Sequence, residues 1–215
     1  MLPKPSEGLK VSVIKAPLEN LLVISRRLGL PFVDLLQPGL SYKEITQKIQ
    51  SLGIIAPLQL VEFYEFCNGV QSDGHWTSEV ELYQGYWILP LQEAIQQYDL
   101  LQRTNDNGYV QKSWFPLLKC DRDSFVVDCT KALIGEACII NYMPELGPIV
   151  TYFDIKSMIN TFADCYHEGA FVVSGRKVIG VDFKRVVKIS IRHNPNVEFW
   201  LKCLDDPRYI DLTSE

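Results

Sequence analysis

The sequence predicts an α+β fold: a single antiparallel or mixed sheet with helices packed on one side, preceded by an N-terminal helical extension. Three observations predict it. Apolar residues recur at helical spacing through Cys67, short apolar runs separated by turn residues follow from Gly85 to Phe153, and a broad helical stripe closes the region at Ile155 to Tyr166. Consecutive strands favour antiparallel pairing over a doubly wound parallel sheet. On this reading the chain divides into a helical extension (1–53), an α+β domain (54–170) and a C-terminal elaboration packed on that domain (171–215).

The first helix is read from Leu18, Leu21, Leu22 and Leu28 after Pro17, with Gly29 as its stop. Ser41 caps a second helix, with Glu44 completing a capping box, and the stripe runs through Ile45 and Ile49 to Gly53. Pro57 suits the first turn of a third, whose stripe is Leu60, Val61, Tyr64 and Cys67. Asn68-Gly69 then supplies a left-handed stop. The polar stretch Gln71 to Glu79 reads as a loop before a strand at Val80 to Tyr83. Gly85 to Ile88 is strand-like, and Leu89-Pro90 leads into a helix from about Leu91 to Arg103.

Asn107-Gly108 is a strong turn signal. Trp114 to Leu118 and Ser124 to Cys129 flank the charged turn Lys119 to Asp123 and form the best hairpin in the chain. Glu136 to Tyr142 and Ile149 to Phe153 read as two more strands around a Pro/Gly loop. Asp154 caps a helix bearing Ile155, Met158, Ile159, Phe162 and Tyr166. Ala170 to Val173 fits a short strand or the end of the helical region. Phe183 to Ile191 fits a helix by period and a strand by alternation, with Asp182 as a cap favouring the helix. Asn194-Pro195-Asn196 ends it, and the last dozen residues read as a surface-packed tail.

The chain has 215 residues, 47% of them from the hydrophobic set and 22% charged, which excludes a disordered or low-complexity class. Its 26 acidic and 21 basic residues give a formal charge of −5, which does not attract nucleic acid as a whole. Residues 176–193 carry +5, residues 194–215 carry −3, and residues 1–175 carry −7. Lys184, Lys188 and Arg192 would share one helix face, either as an ordinary solvated stripe or as a basic contact surface. The opening MLPKPSEGLKV reads as no secretory signal, no run of 18 apolar residues offers a membrane span, and a cytoplasmic protein is expected. The six cysteines are widely spaced without a Cys-x-x-Cys pair, so reduced thiols are expected and neither a metal nor a cofactor is. No phosphate loop or nucleophile elbow is present, and no enzyme is predicted.

Three landmarks occur in a specific order. PLQLVEFYEFCNG (Pro57 to Gly69) resembles the opening helix and Asn-Gly of the SMI1/KNR4 domain, also called the SUKH superfamily. GYWILPLQEAI (Gly85 to Ile95) resembles that family's strand followed by a helix, and WFPLLKCDRDSFVVDC (Trp114 to Cys129) its Trp-x-Pro strand, turn and Asp-ended strand. The resemblance covers about Ile54 to Tyr166. It implies a non-enzymatic protein-binding domain. Many bacterial members are immunity proteins that neutralise toxins, often nucleases, and fungal relatives regulate cell-wall synthesis and signalling. The resemblance therefore implies stoichiometric neutralisation of a toxin, with a regulatory or scaffold role lacking any toxin as the alternative.

Asn68, Gly69, Trp114 and Pro116 match the family's motifs and are expected to be structural. Asp121, Asp123 and Asp128 read either as turn formers or as an acidic edge that receives Arg or Lys from a partner. Trp76, flanked by Asp73, Glu79 and Glu81, reads either as an interface anchor or as a cover for the sheet edge. These seven are the candidate protein-binding residues. Complementarity to a basic toxin or nuclease would speed encounter and reject wrong partners.

Overall fold

Alternation within the central apolar runs decides the architecture. The computed structural model describes residues 12–75 and 77–206. It opens with α1 (Lys15–Arg27), β1 (Leu36–Pro38), α2 (Tyr42–Gln50), α3 (Leu58–Phe66) and β2 (Cys67–Val70). Next come α4 (Thr77–Val80), β3 (Trp87–Ile88), α5 (Leu91–Arg103), β4 (Trp114–Cys120), β5 (Asp123–Asp128), β6 (Ile139–Met143) and β7 (Gly147–Tyr152). Then follow α6 (Ile155–His167), β8 (Phe171–Ser174), β9 (Lys177–Val181), α7 (Phe183–His193) and α8 (Glu198–Asp205).

Strands β3 to β7 form one sheet in that order, each neighbour antiparallel. The expected hairpin is its centre, pairing Trp114 with Asp128 at one end and Cys120 with Asp123 at the other. Directly opposed residues share a face. Phe115, Val127, Ile139 and Tyr152 therefore form one row across four strands, and Pro116, Val126, Ile140 and Val150 the next. The first row enters the main core, where the Tyr152 ring lies 5.7 Å from Phe162 of α6 and 6.0 Å from Trp200 of α8. That core is continuous from Ile14 to Cys203.

Val126 and Ile140 of the second row join Trp114 and Tyr142 in a smaller cluster with Leu101 of α5. Gln97 Nε2 of α5 donates to the buried Ser124 Oγ on the same face (3.3 Å). The α+β class stands, with one amendment: helices flank the sheet, because the C-terminal half of α5 covers the face opposite α6 and α8.

Local chemistry accounts for three of the helix starts. Ser41 Oγ accepts the Glu44 amide (3.3 Å), while the Glu44 carboxylate pairs with Lys48 (3.1 Å). In α6 both arms of a capping box close: Asp154 accepts the Ser157 amide (2.7 Å), and Ser157 Oγ accepts the Asp154 amide (3.0 Å). Asp182 accepts the Arg185 amide (3.0 Å), and Phe183–His193 is a helix.

Elsewhere long-range pairing overrides local signals. Asn68-Gly69 is not a helix stop: Cys67 is already extended, and Cys67–Val70 pairs with β1, a strand that local pattern did not announce. Gly69 keeps its positive φ (+72°), and a Cβ there would sit 2.4 Å from Pro90 N and 2.5 Å from the Leu89 carbonyl carbon. The strand expected at Val80 to Tyr83 does not form. α4 ends at Val80, and Gln84 and Gly85 (φ 43° and 81°) reverse the chain so tightly that Tyr83 makes a single bridge, to Tyr86. β9 and α8 are additions to the sequence reading. Gly175 and Arg176, both at positive φ, form the two-residue β8–β9 turn, and Trp200 anchors α8. Of the expected C-terminal tail, residues 207–215 lie outside the described residues.

Gly69 and Gly53 provide a matched test, since Gly53 has φ +76° with open space around its missing Cβ. Gly53→Ala is expected to lower stability by about 1 kcal/mol through backbone strain alone. Gly69→Ala is expected to cost about 3 kcal/mol, because backbone atoms of the Leu89–Pro90 link must also move. Urea denaturation of the two variants measures the difference.

Candidate protein-binding surface

The β4–β5 turn sets the position of the acidic residues. Asp121, exposed with φ +45°, and Arg122 form its two-residue loop, and Asp123 starts β5. Glu145 reaches the same end of the sheet from the β6–β7 turn, where Arg122 meets it at 3.5 Å. The Asp123 carboxyl is held above the ordinary carboxylate range, first by burial and then by Asp121 and Glu145, against the opposing charge of Arg122. Glu81 accepts the Gly85 amide (2.9 Å) and lies beside Cys120. The Cys120 thiol is pushed up by burial, then by Asp123, Asp121 and Glu81. Four acids from three turns thus converge where β4 ends and β5 begins.

Asp73 approaches this region from the loop after β2. Beside it, in the first turn of α5, Glu93 is pushed upward by burial and then by the Asp73 charge; Lys119 and a hydrogen bond with Ser72 oppose the shift. Lys119 belongs to the same β4 end as Asp121. Glu79 lies on α4 with its carboxylate 3.2 Å from His75 Nδ1. Trp76 lies outside the described residues.

Asp128 is not part of this grouping. It ends β5 at the opposite end, where it accepts hydrogen bonds from the Thr130 amide (2.9 Å), Thr130 Oγ1 (2.6 Å) and Ser113 Oγ (3.3 Å). That geometry is an Asx-type turn closing the strand. The motif residues have evident structural work. Asn68 Oδ1 accepts the Leu91 amide (2.9 Å), capping α5 in place of Pro90, and its Nδ2 donates to Gln37 (2.9 Å). Trp114 packs 6.3 Å from the Tyr142 ring, and Pro116 sits where the β4–β5 register shifts, a position that tolerates a missing amide hydrogen.

Sequence reasoning missed Trp87, Glu93, Arg103 and Lys119, which line a cleft of about 570 Å³ together with Asp73. Three elements build it, so no single motif marks it. The available signal was Glu93, Gln96, Leu100 and Arg103 at helical spacing on one face of α5.

The other reactive side chains have settled environments. All six cysteines are free thiols. Burial raises Cys67 to about 11 and Cys129 to about 12, which keeps them protonated at neutral pH, away from the thiolate that nucleophilic chemistry needs. His193 Nε2 lies 2.7 Å from Asp164, tying α7 to α6 alongside Arg192. Among the described residues, no group of three or more His, Cys, Asp or Glu side chains has a metal-holding arrangement, and no helix is long and apolar enough to cross a membrane.

A sheet flanked by helices, with acidic side chains at its turn end, defines an α+β domain suited to binding another protein. A family model described as the SMI1 / KNR4 family (SUKH-1) matches residues 39–166, more than half of the chain, and the chain belongs to that family. The match opens upstream of Ile54 and takes in α2. Membership supports a protein-binding, non-catalytic role. No curated protein shows a significant match.

Two measurements test the local physics. Asn68→Ala is expected to destabilise the protein by about 1 kcal/mol through the lost α5 cap, read as a lower urea midpoint. Asp123 titrates in the opposite sense from a salt-bridged carboxylate. Its folded pKa lies above the unfolded value, so ionisation weakens the fold: the effect is absent below the unfolded pKa and complete above the folded one. Asp123→Asn is therefore expected to stabilise at pH 7, with the gain vanishing toward about pH 3, below the ordinary Asp value of about 3.9. A pH series of denaturation midpoints checks that sign.

Proposed function

We propose that this protein is an immunity-type protein that neutralises a toxin by stoichiometric binding, without chemistry of its own. The observation that carries the reading is the repulsion among Asp121, Asp123 and Glu145 at one end of the sheet. Arg122 offsets only part of that charge, and a basic partner relieves the rest. A nuclease domain fits because a surface that binds nucleic acid is basic. The acidic end covers that surface, and complementary charge accelerates the encounter. On this reading residues 54–170 supply the binding domain, 1–53 and 171–215 support it, and the encounter takes place in the cytoplasm.

The test is a pull-down from lysate of the native source, with an Asp121→Lys/Asp123→Lys double variant as control. A basic nuclease or toxin fragment held 1:1 by the wild type and lost by the control is the expected result. Single reversals at Asp121, Asp123 or Glu79 are expected to weaken that complex about three- to tenfold at low salt and less at high salt. Reproducible capture of an endogenous signalling protein, indifferent to these reversals, would instead establish the regulatory or scaffold role.

A further inference from the structure

The cleft between α5 and the β3–β4 edge has a composition that selects a ligand chemistry. Its floor is apolar: Leu89 is buried, and Trp87 lies half-buried beside it. The Trp87 indole nitrogen is itself buried with no hydrogen-bond partner, so the surface that Trp87 offers the cleft is ring carbon. Asp73 and Glu93 provide two carboxylates, and Lys119 and Arg103 two cations. Among the described residues no ion pair includes Asp73 or Glu93. The four charges line one space without neutralising one another at contact distance.

The acids are the half that gains from an added counter-charge, since a hydrogen bond with Ser72 offsets only part of the burial and repulsion acting on Glu93. Arg103 already donates from Nε to the Asp99 carbonyl (3.3 Å). Lys119 opposes the upward shift of Glu93 without cancelling it, because burial and Asp73 outweigh it. An incoming cation offsets the repulsion between Asp73 and Glu93 and supplies a counter-charge at contact distance, which compensates for their burial. An aromatic ring beside paired carboxylates is also the setting in which a flat guanidinium is held best, by stacking and by hydrogen bonding together.

We propose that this cleft receives an arginine side chain of the partner protein, the guanidinium lying on Trp87 between Asp73 and Glu93. The assignment deepens the protein-binding reading and rests on it, adding a specific socket to the acidic end of the sheet. The socket adjoins that end directly, since Gln97 and Leu100 line both this cleft and a second one that includes Asp106 and Asp121.

The experiment uses the full chain, 15N-labelled, titrated with N-acetyl-arginine amide and separately with N-acetyl-citrulline amide, a neutral analogue of nearly the same shape. Saturable shifts of the Trp87 indole and the Ser72, Asp73 and Glu93 amides are expected with the arginine probe. Binding is expected to be at least about fivefold weaker for citrulline, and weaker by a similar factor for Glu93→Gln. Asp73→Asn, at an exposed loop position, is the second variant should Glu93→Gln disturb the fold. Absence of saturable shifts, an equal response to both probes, or unchanged affinity in a folded variant would overturn the proposal. The probe carries no partner surface, so its failure leaves toxin binding standing. Conversely, a pull-down that fails while the probe binds removes the toxin reading and keeps the socket.

Discussion

A sheet with apolar side chains on both faces has to be covered on both, and most of this structure follows from that constraint. Both faces of β5 carry buried apolar side chains: Phe125 and Val127 point into the main core, and Val126 into the smaller cluster. One layer of helices cannot bury both sets. α6 and α8 serve the first face, α5 turns back over the second, and the long connection from β3 to β4 exists to let it do so. The edge at β7 is closed as well. The Trp200 indole donates to the Thr151 carbonyl (2.5 Å), and Asn194 Oδ1 accepts the Phe153 amide (2.9 Å). Among the described residues, with faces and one edge occupied, the sheet is left open at its ends and at the short β3 edge. Those are the places where Asp121, Asp123 and the cleft are found.

Those ends also differ in what their acids do. Asp128 has three donors and closes a strand, so its charge contributes to the fold. Asp123 and Glu93 sit among like charges and partly out of water, an arrangement that weakens the folded state. One Asn or Gln would relieve such repulsion, so these carboxylates fit a contact for a basic partner better than a support of the fold.

What the sequence revealed depended on whether the signal was local. Ser41, Asp154 and Asp182 cap helices through bonds spanning three residues, and α5 begins after Pro90 as the pattern required. The β4–β5 hairpin was equally legible, because a charged turn between two apolar runs needs no distant information. Asn68 shows the limit. Its identity and that of Gly69 suggested a helix end, whereas the side chain caps a different helix 23 residues away and the glycine makes room for the backbone of that same helix's entry. β1 failed for the same reason, since three residues become a strand only beside β2. The acidic end was readable at Asp121 and Asp123, which share a turn. The cleft was not, because Asp73, Trp87, Glu93 and Lys119 meet only after the sheet and α5 have closed.

The segments outside the family match explain why the acidic end keeps its charge. Residues 176–193 carry +5 and are the obvious intramolecular counter-charge for an acidic domain. The fold directs much of that charge elsewhere. Arg192 meets Glu168 and Asp164 on α6, Arg185 meets Asp182 and the Glu168 carbonyl, and Arg176 reaches the Gly29 carbonyl at the end of α1. α7 is held against α6 by these contacts, on the side of the sheet where Tyr152 and Phe162 pack. Arginines bound to α6 and to the end of α1 are not available to Asp121 and Asp123. The field at the turn end decays over a Debye length of about 8–10 Å in physiological salt, so it acts on basic surface that comes that near. Engaging these arginines with α6, Asp182 and the end of α1 is thus what keeps them from neutralising Asp121 and Asp123.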